Sequence, residues 1–277
     1  MWFATLFVLG TLPVPADQPF LLRRKFAMAE GERYTYTTET KNSVELPGGA
    51  GEQSYSVSLT GTQSYRCVGV DIQGMKIEGT ARMDPMKVTG PMAAMMPKSD
   101  KPTVVKTLGT LDVLNRLRFA NAPVTMPGQT IDASALVAAT NGFVFPEFPA
   151  ELVSIGSSWK VKLPTSTLPS KSASFMNYTL SARESLNGVP ALLLLANCEA
   201  SMSMTQKLPE NSGLPGGAEE VGLSTTINLS GKIWIDPVTG RTLRAEIGGT
   251  SKTKVSMGRT MSIDSTGEQK TVYIAKL

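Results

Sequence analysis

The stretch RYTYTTETKNSVEL, Arg33–Leu46, sets Tyr34, Tyr36, Thr38, Thr40, Asn42, Val44 and Leu46 at even positions, against Arg33, Thr35, Thr37, Glu39, Lys41, Ser43 and Glu45 at odd ones. Strand side chains alternate between faces, so this pattern predicts one unusually long strand with a face turned away from water. SYSVSLTGTQSYRCV, Ser54–Val68, repeats it, with Tyr55, Val57, Leu59, Tyr65 and Cys67 opposed to serines, threonines and Arg66. Strands with one packed face and one wet face belong to an antiparallel sheet.

Working outward, Met75, Ile77, Gly79, Ala81 and Met83 alternate with Lys76, Glu78, Thr80 and Arg82 after a turn at Asp71–Gly74, as in a hairpin. Met176 to Arg183 alternates likewise, and Asn187-Gly188 is a strong hairpin turn signal. The strand after it carries Leu192, Leu194, Ala196, Cys198, Ala200, Met202 and Met204 on one face. Leu193 and Leu195 on the other predict burial of its first part on both sides. A strand over Val221–Ile235, a turn over Asp236–Gly240, a strand over Leu243–Met257 and a last strand over Lys270–Leu277 follow. A single short helix is expected over Ala133–Thr140, capped by Asp132 and stopped by Gly142, before the Pro-rich crossover Phe145–Pro149.

The fold class that follows is mainly β: a long-stranded antiparallel sheet curled into a barrel or half-barrel, with one short helix. The Pro-Gly-Gly loops at Leu46–Glu52 and Leu214–Glu220 each join two long strands, which suggests two repeated halves. The expected layout is an N-terminal β half over 17–128, the helix and crossover over 129–150 and a C-terminal β half over 151–277, forming one domain. Ahead of it, the apolar run Trp2–Leu12 with small residues at Val14 and Ala16 reads as a signal peptide over 1–16, giving a periplasmic or secreted protein. That run is too short to span a bilayer. In such a compartment Cys67 and Cys198 could form a disulfide, while their places on apolar strand faces equally suit two buried thiols.

The chain contains no histidine, which excludes His-dependent triads and imidazole metal sites. Its 27 Lys and Arg against 23 Asp and Glu form no evident stripe, so no nucleic-acid partner is expected. Phosphate-binding glycine loops are missing. Ser157 and Lys160 have the spacing of a Ser-Lys catalytic pair, but at a strand start they face opposite ways. Glu39, Glu45, Glu78, Asp84, Glu199 and Glu246 fall mostly on the polar faces of strands, as solvated charges do. No catalytic residue, cofactor or metal ligand is therefore expected, and the chain reads as a non-enzyme.

Fourteen methionines are the unusual feature, concentrated at Met83, Met86, Met92, Met95 and Met96, with Met202 and Met204 on a later strand. Thioethers suit Cu(I), but neither His nor Cys accompanies the cluster, and flexible Met commonly fills irregular apolar cavities or lines adaptable binding surfaces. Met83, Met92, Met95, Met96, Met202 and Met204 are the candidate apolar lining.

The motifs at Phe26–Tyr36 (apolar strand, Glu-Gly-Glu turn, Tyr-x-Tyr), Phe145–Trp159 (Phe-Pro-x-Phe-Pro, Ile-Gly-x-x-Trp) and Ile233–Leu243 (Ile-Trp-Ile-Asp-Pro-x-Thr-Gly-Arg-x-Leu) resemble a class of exported bacterial β-rich proteins of unknown function. More distantly, the layout is similar to the half-barrel carriers that shuttle lipoproteins or lipids across the periplasm. A one-faced sheet of strands about 45 Å long exposes far more apolar area than water tolerates, so closure, a lid, a partner or a ligand must cover it. The expectation is an envelope protein holding a lipid or lipoprotein acyl chain in a concave sheet. The alternative is a packed structural barrel whose edges or loops bind another envelope protein. An outer-membrane barrel would share the alternation but lacks aromatic girdles.

Overall fold

The computed structural model describes residues 19–25, 31–45, 51–72, 74–91, 93, 101–119, 124–126, 129–131, 134–163, 175–207, 220–257 and 261–276. Its elements are β1 (Gly31–Glu45), β2 (Glu52–Asp71), β3 (Gly74–Met83), β4 (Lys87–Thr89), β5 (Thr103–Leu111), β6 (Leu117–Phe119), β7 (Val124–Met126), β8 (Gln129–Ile131), α1 (Ser134–Val144), β9 (Ser158–Lys162), β10 (Phe175–Leu186), β11 (Val189–Lys207), β12 (Glu220–Ile235), β13 (Thr242–Met257) and β14 (Met261–Lys276). All but β7 and β8 form one antiparallel sheet in the order β6-β5-β3-β2-β1-β14-β13-β12-β11-β10-β9, with β4 paired to β2.

The chain meanders outward from β1, crosses to the far edge, and meanders back until β14 lies beside β1. The two expected halves thus join in one sheet, through a register running from Arg33↔Lys276 to Glu45↔Asp264. The tight hairpin at Asn187-Gly188 has positive φ at both residues, 53° and 84°, the geometry its sequence favours.

The sheet is open, and it is curled. Leu114, just beyond β5, accepts a hydrogen bond from Phe148 N at 2.8 Å, and the neighbouring carbonyl of Glu147 accepts one from Trp159 Nε1 of β9 at 2.7 Å. The Leu114 carbonyl and the Trp159 indole therefore lie within roughly 8 Å of each other. Laid flat, the nine strand-to-strand steps from β5 to β9 would span about 43 Å. Only a strongly curved sheet lets one short segment reach both edges.

The core collects where that segment crosses, at the end of the sheet where β1 begins. Tyr34, Tyr65 and Phe145 meet edge to face, with Tyr65 and Phe145 centroids 4.8 Å apart, and Trp159 stacks on Tyr178 at 5.5 Å. Such pairs add about 0.5–1.5 kcal/mol each beyond area burial. Inward-facing glycines make room for rings: a Cβ on Gly231 would sit 2.9 Å from the Phe143 ring, and one on Gly61 would sit 2.6 Å from the Tyr36 hydroxyl.

Three sequence expectations need correction. The helix runs through Gly142 to Val144, because Gly142 serves as a contact point rather than a stop; a Cβ there would lie 2.7 Å from Met176 Cε. The last strand begins at Met261, not Lys270; its inward residues Ser265, Gly267 and Gln269 are too polar to show an apolar period. Leu195 is exposed while Leu193 is buried, so only the latter is covered on the outer face. A strand that the sequence reading passes over is β5, whose inward Thr107 and Gly109 and outward Val104 and Leu108 invert the usual pattern.

Candidate functional site: the concave face

Register fixes which residues share the inner face. Level with Tyr36 come Gly61 and Met83 on one side, and Tyr273, Ala245, Ile233, Leu194 and Leu180 on the other. Moving toward the open end, one row holds Leu59, Thr38, Thr271, Ile247, Gly231, Ala196, Tyr178 and Trp159. Above it lie Val57, Thr40, Gln269, Gly249, Leu229, Cys198 and Met176, then Tyr55, Asn42, Gly267, Ser251, Ile227 and Ala200. The next row is Gln53, Val44, Ser265, Thr253 and Thr225.

No inward position from the Tyr36 row to the open end carries a charge among the described residues, whereas the outward positions bear Arg33, Glu39, Lys41, Glu199, Lys232, Glu246, Lys252, Lys254, Asp264, Glu268 and Lys270. Charges along the middle of the outer face do not suit contact with hydrocarbon. No described helix is long and apolar enough to cross a membrane.

The inner face changes character along its length. Near the start of β1 it is filled by the end of α1 and the crossover after it: Tyr178 Oη donates to the Gly142 carbonyl at 2.9 Å and Thr242 Oγ1 donates to the Val144 carbonyl at 2.7 Å. In the upper rows the lining divides: Thr40, Asn42, Tyr55, Val57, Ser251, Thr253, Leu223 and Ile227 are half-buried, whereas Val44, Leu229, Cys198 and Ala200 are buried. There, neutral hydroxyls pair with one another, Thr38 with Thr271 at 3.0 Å and Thr225 with Thr253 at 3.2 Å. Flanking this polar strip are Val57 and Leu59 on β2, and Leu223 and Ile227 on β12.

A charged seal closes the lower end. Arg24 and Glu32, with side chains 1% and 7% exposed, form an ion pair, and Glu32 also accepts a hydrogen bond from Tyr34 Oη at 2.9 Å. Arg241 stands 3.9 Å from the same carboxylate. Burial, reinforced by the Glu32 charge, pushes the Tyr34 hydroxyl well above its ordinary pKa. Arg24 is held in place by the segment it belongs to: Phe20 pairs with Val153, Arg24 N donates to Val113 O, and Lys25 N donates to Thr239 O.

The sequence-derived site residues fall in separate places. Met83 packs against the core at the Tyr36 level. Met202 and Met204 are in register with Thr225 and Leu223 near the open end of β11, with five strands between β11 and β3 in the sheet. Met92, Met95 and Met96 lie outside the described residues, as do the segment 1–16 and both Pro-Gly-Gly loops.

Cys67 and Cys198 are separate buried thiols, not a bridge; four strands lie between theirs in the sheet. Cys67 Sγ donates to Gly69 O, and burial, with Glu199 nearby, pushes the Cys198 thiol up to about 11. Ser157 Oγ accepts from Ser154 N, and the Lys160 ammonium sits 3.9 Å over the Phe175 ring, so the two do not meet. Among the described residues no three His, Cys, Asp or Glu side chains group as a metal site would need.

The sequence reading missed the neutral strip Thr38, Thr40, Asn42, Ser251 and Thr253. Its signal was the parity of charge: along each long strand, every Lys, Arg, Asp and Glu of the open half shares the outward phase. The sequence matches no protein-family model and no curated protein.

Proposed function

We propose that this chain is an exported, non-enzymatic envelope protein that holds a neutral, largely apolar ligand, such as a lipid or a lipoprotein acyl chain, against the open half of its concave face. One observation carries the reading: the upper rows of the inner face are free of charge and half-buried along Thr40, Asn42, Tyr55, Val57, Ser251, Thr253 and Ile227, while its lower end is filled with aromatic side chains and sealed by an ion pair. Apolar walls at Val57, Leu59, Leu223 and Ile227 suit an acyl chain, and the Thr-Asn-Ser strip between them suits an ester, amide or hydroxyl. Placing it outside the cytoplasm rests on the apolar Trp2–Leu12 run and the small residues Val14 and Ala16.

The test is native mass spectrometry of Asp17–Leu277 purified from a periplasm, followed by organic extraction. A stoichiometric lipid or apolar metabolite supports the reading. A bare mass, with no thermal shift on adding lipids, defeats it and transfers the assignment to the packed interaction protein.

A further inference from the structure

Among the described residues, strand β5 has an edge with no strand partner over Thr103–Leu108. It pairs with β3 from Thr103 to Leu111, but β6 covers only Gly109–Leu111 on its other side. From Thr103 to Leu108, alternate backbone N–H and C=O groups point away from the sheet, as on any uncovered edge. Val104 and Leu108 stand on the outer face, 56% and 63% exposed, and Val105 is 42% exposed. Between the first two, Lys106 is exposed as well.

This edge also carries the protein's charge imbalance. The segment Gly74–Phe119 holds eight Lys and Arg against four Asp and Glu, while the rest of the chain is balanced at nineteen of each. Among the described residues of that segment, Lys76, Arg82, Lys87, Lys101, Lys106, Arg116 and Arg118 stand against Glu78, Asp84 and Asp112, so the excess that reads as diffuse along the sequence is gathered at the β3–β6 side of the sheet. Several of the acids there are already engaged: Glu78 with Arg66 at 2.8 Å, Asp112 with Arg116 at 2.5 Å, and Asp84 with the Thr60 hydroxyl at 2.9 Å. Lys87, Lys106 and Arg118 remain exposed.

We propose that the β5 edge binds an extended, acidic segment of another polypeptide by strand addition. Main-chain hydrogen bonds to Thr103–Leu108 would supply affinity, Val104 and Leu108 would take apolar side chains, and Lys106 would select an acidic residue between them. A second copy of this chain fits less well, because edge-to-edge pairing brings two basic edges together. The surface is distinct from the concave lining, so this interaction stands whether or not a lipid binds there.

The probe is a fluorescein-labelled octapeptide of alternating valine and glutamate, with a valine-lysine counterpart, titrated into the full chain at low salt by fluorescence anisotropy. Amide exchange, read by mass spectrometry, locates the contact. The glutamate peptide is expected to bind roughly 10-fold tighter than the lysine peptide and to slow exchange over Thr103–Leu108. Lys106→Glu should weaken it about 3- to 10-fold, and Lys106→Gln by less. N-methylating alternate peptide residues should abolish binding. Equal binding of the two peptides, no binding, protection elsewhere, or self-association of the chain through Thr103–Leu108 would each overturn the proposal.

Discussion

The two ends of the concave face are built on the same long strands yet solve different problems. Near Tyr36 the face meets protein: rings stand over glycines, carbonyls at the end of α1 accept hydrogen bonds from Tyr178 and Thr242, and Arg24 with Glu32 closes the bottom. Roughly 26 Å along β1, at the level of the buried Val44, the lining is neutral, and its Gln53, Ser265, Thr253 and Thr225 are half-buried. One end has the packing of a core. The other has the chemistry of a surface that excludes charge without excluding water.

Mutations should therefore separate the two ends sharply. Glu32→Ala removes the carboxylate from a buried Arg24, and breaking a buried pair in this way costs about 3–5 kcal/mol. Urea midpoints should show that loss, while Thr253→Ala at the open end should cost under about 1 kcal/mol. Equal effects at the two sites would erase the distinction.

Next in size is a glycine pair. Gly231→Ala drives a methyl toward the Phe143 ring and should cost about 1–3 kcal/mol, whereas Gly248→Ala meets nothing closer than 3.9 Å and should be near neutral. Thermal unfolding of the two variants checks this directly. For function the order reverses: Leu223→Lys puts a charge on the neutral lining at a half-buried site, where the fold tolerates it. Ligand recovered on extraction should fall at least about 10-fold, with the melting temperature little changed.

The smallest expected effect is pH dependence. The Cys198 thiol titrates near 11 when folded, against 9.0 ordinarily. Because the folded value is the higher one, its contribution is complete below about pH 9 and is lost as pH rises toward 11. Cys198→Ala should flatten that part of the stability curve. With the native chain, a thiol reagent at pH 8 should modify neither cysteine quickly, and unfolding should release two reactive thiols. Thiols that appear after unfolding only once a reductant is added would refute the thiol assignment.

How much could be read beforehand follows the same division. Where the inner face is apolar, as at Tyr34, Tyr65, Ile77 and Leu192–Cys198, alternation marked the strands well, since burial and period agree. Where it is polar, the period vanished: Ser265, Gly267 and Gln269 hid nine residues of β14, and inward Thr107 and Gly109 hid β5. Glu32 illustrates a third kind of gap. Its even position places it on the inner face with Tyr34, but its partner Arg24 comes from a segment outside the sheet, and no periodicity announces such a contact. The methionines drew attention by number, whereas the structure puts Met83 and Met202 on strands far apart in the sheet order.

Photoaffinity labelling tests the central claim most directly. A diazirine-bearing diacylglycerol would be incubated with the full chain, irradiated, and mapped by peptide mass spectrometry. Labelling on Val57, Leu59, Leu223 or Ile227, suppressed by Leu223→Lys, is the expected result. Labels confined to the outer residues Val104 and Leu108, or labelling unaffected by Leu223→Lys, would contradict the account.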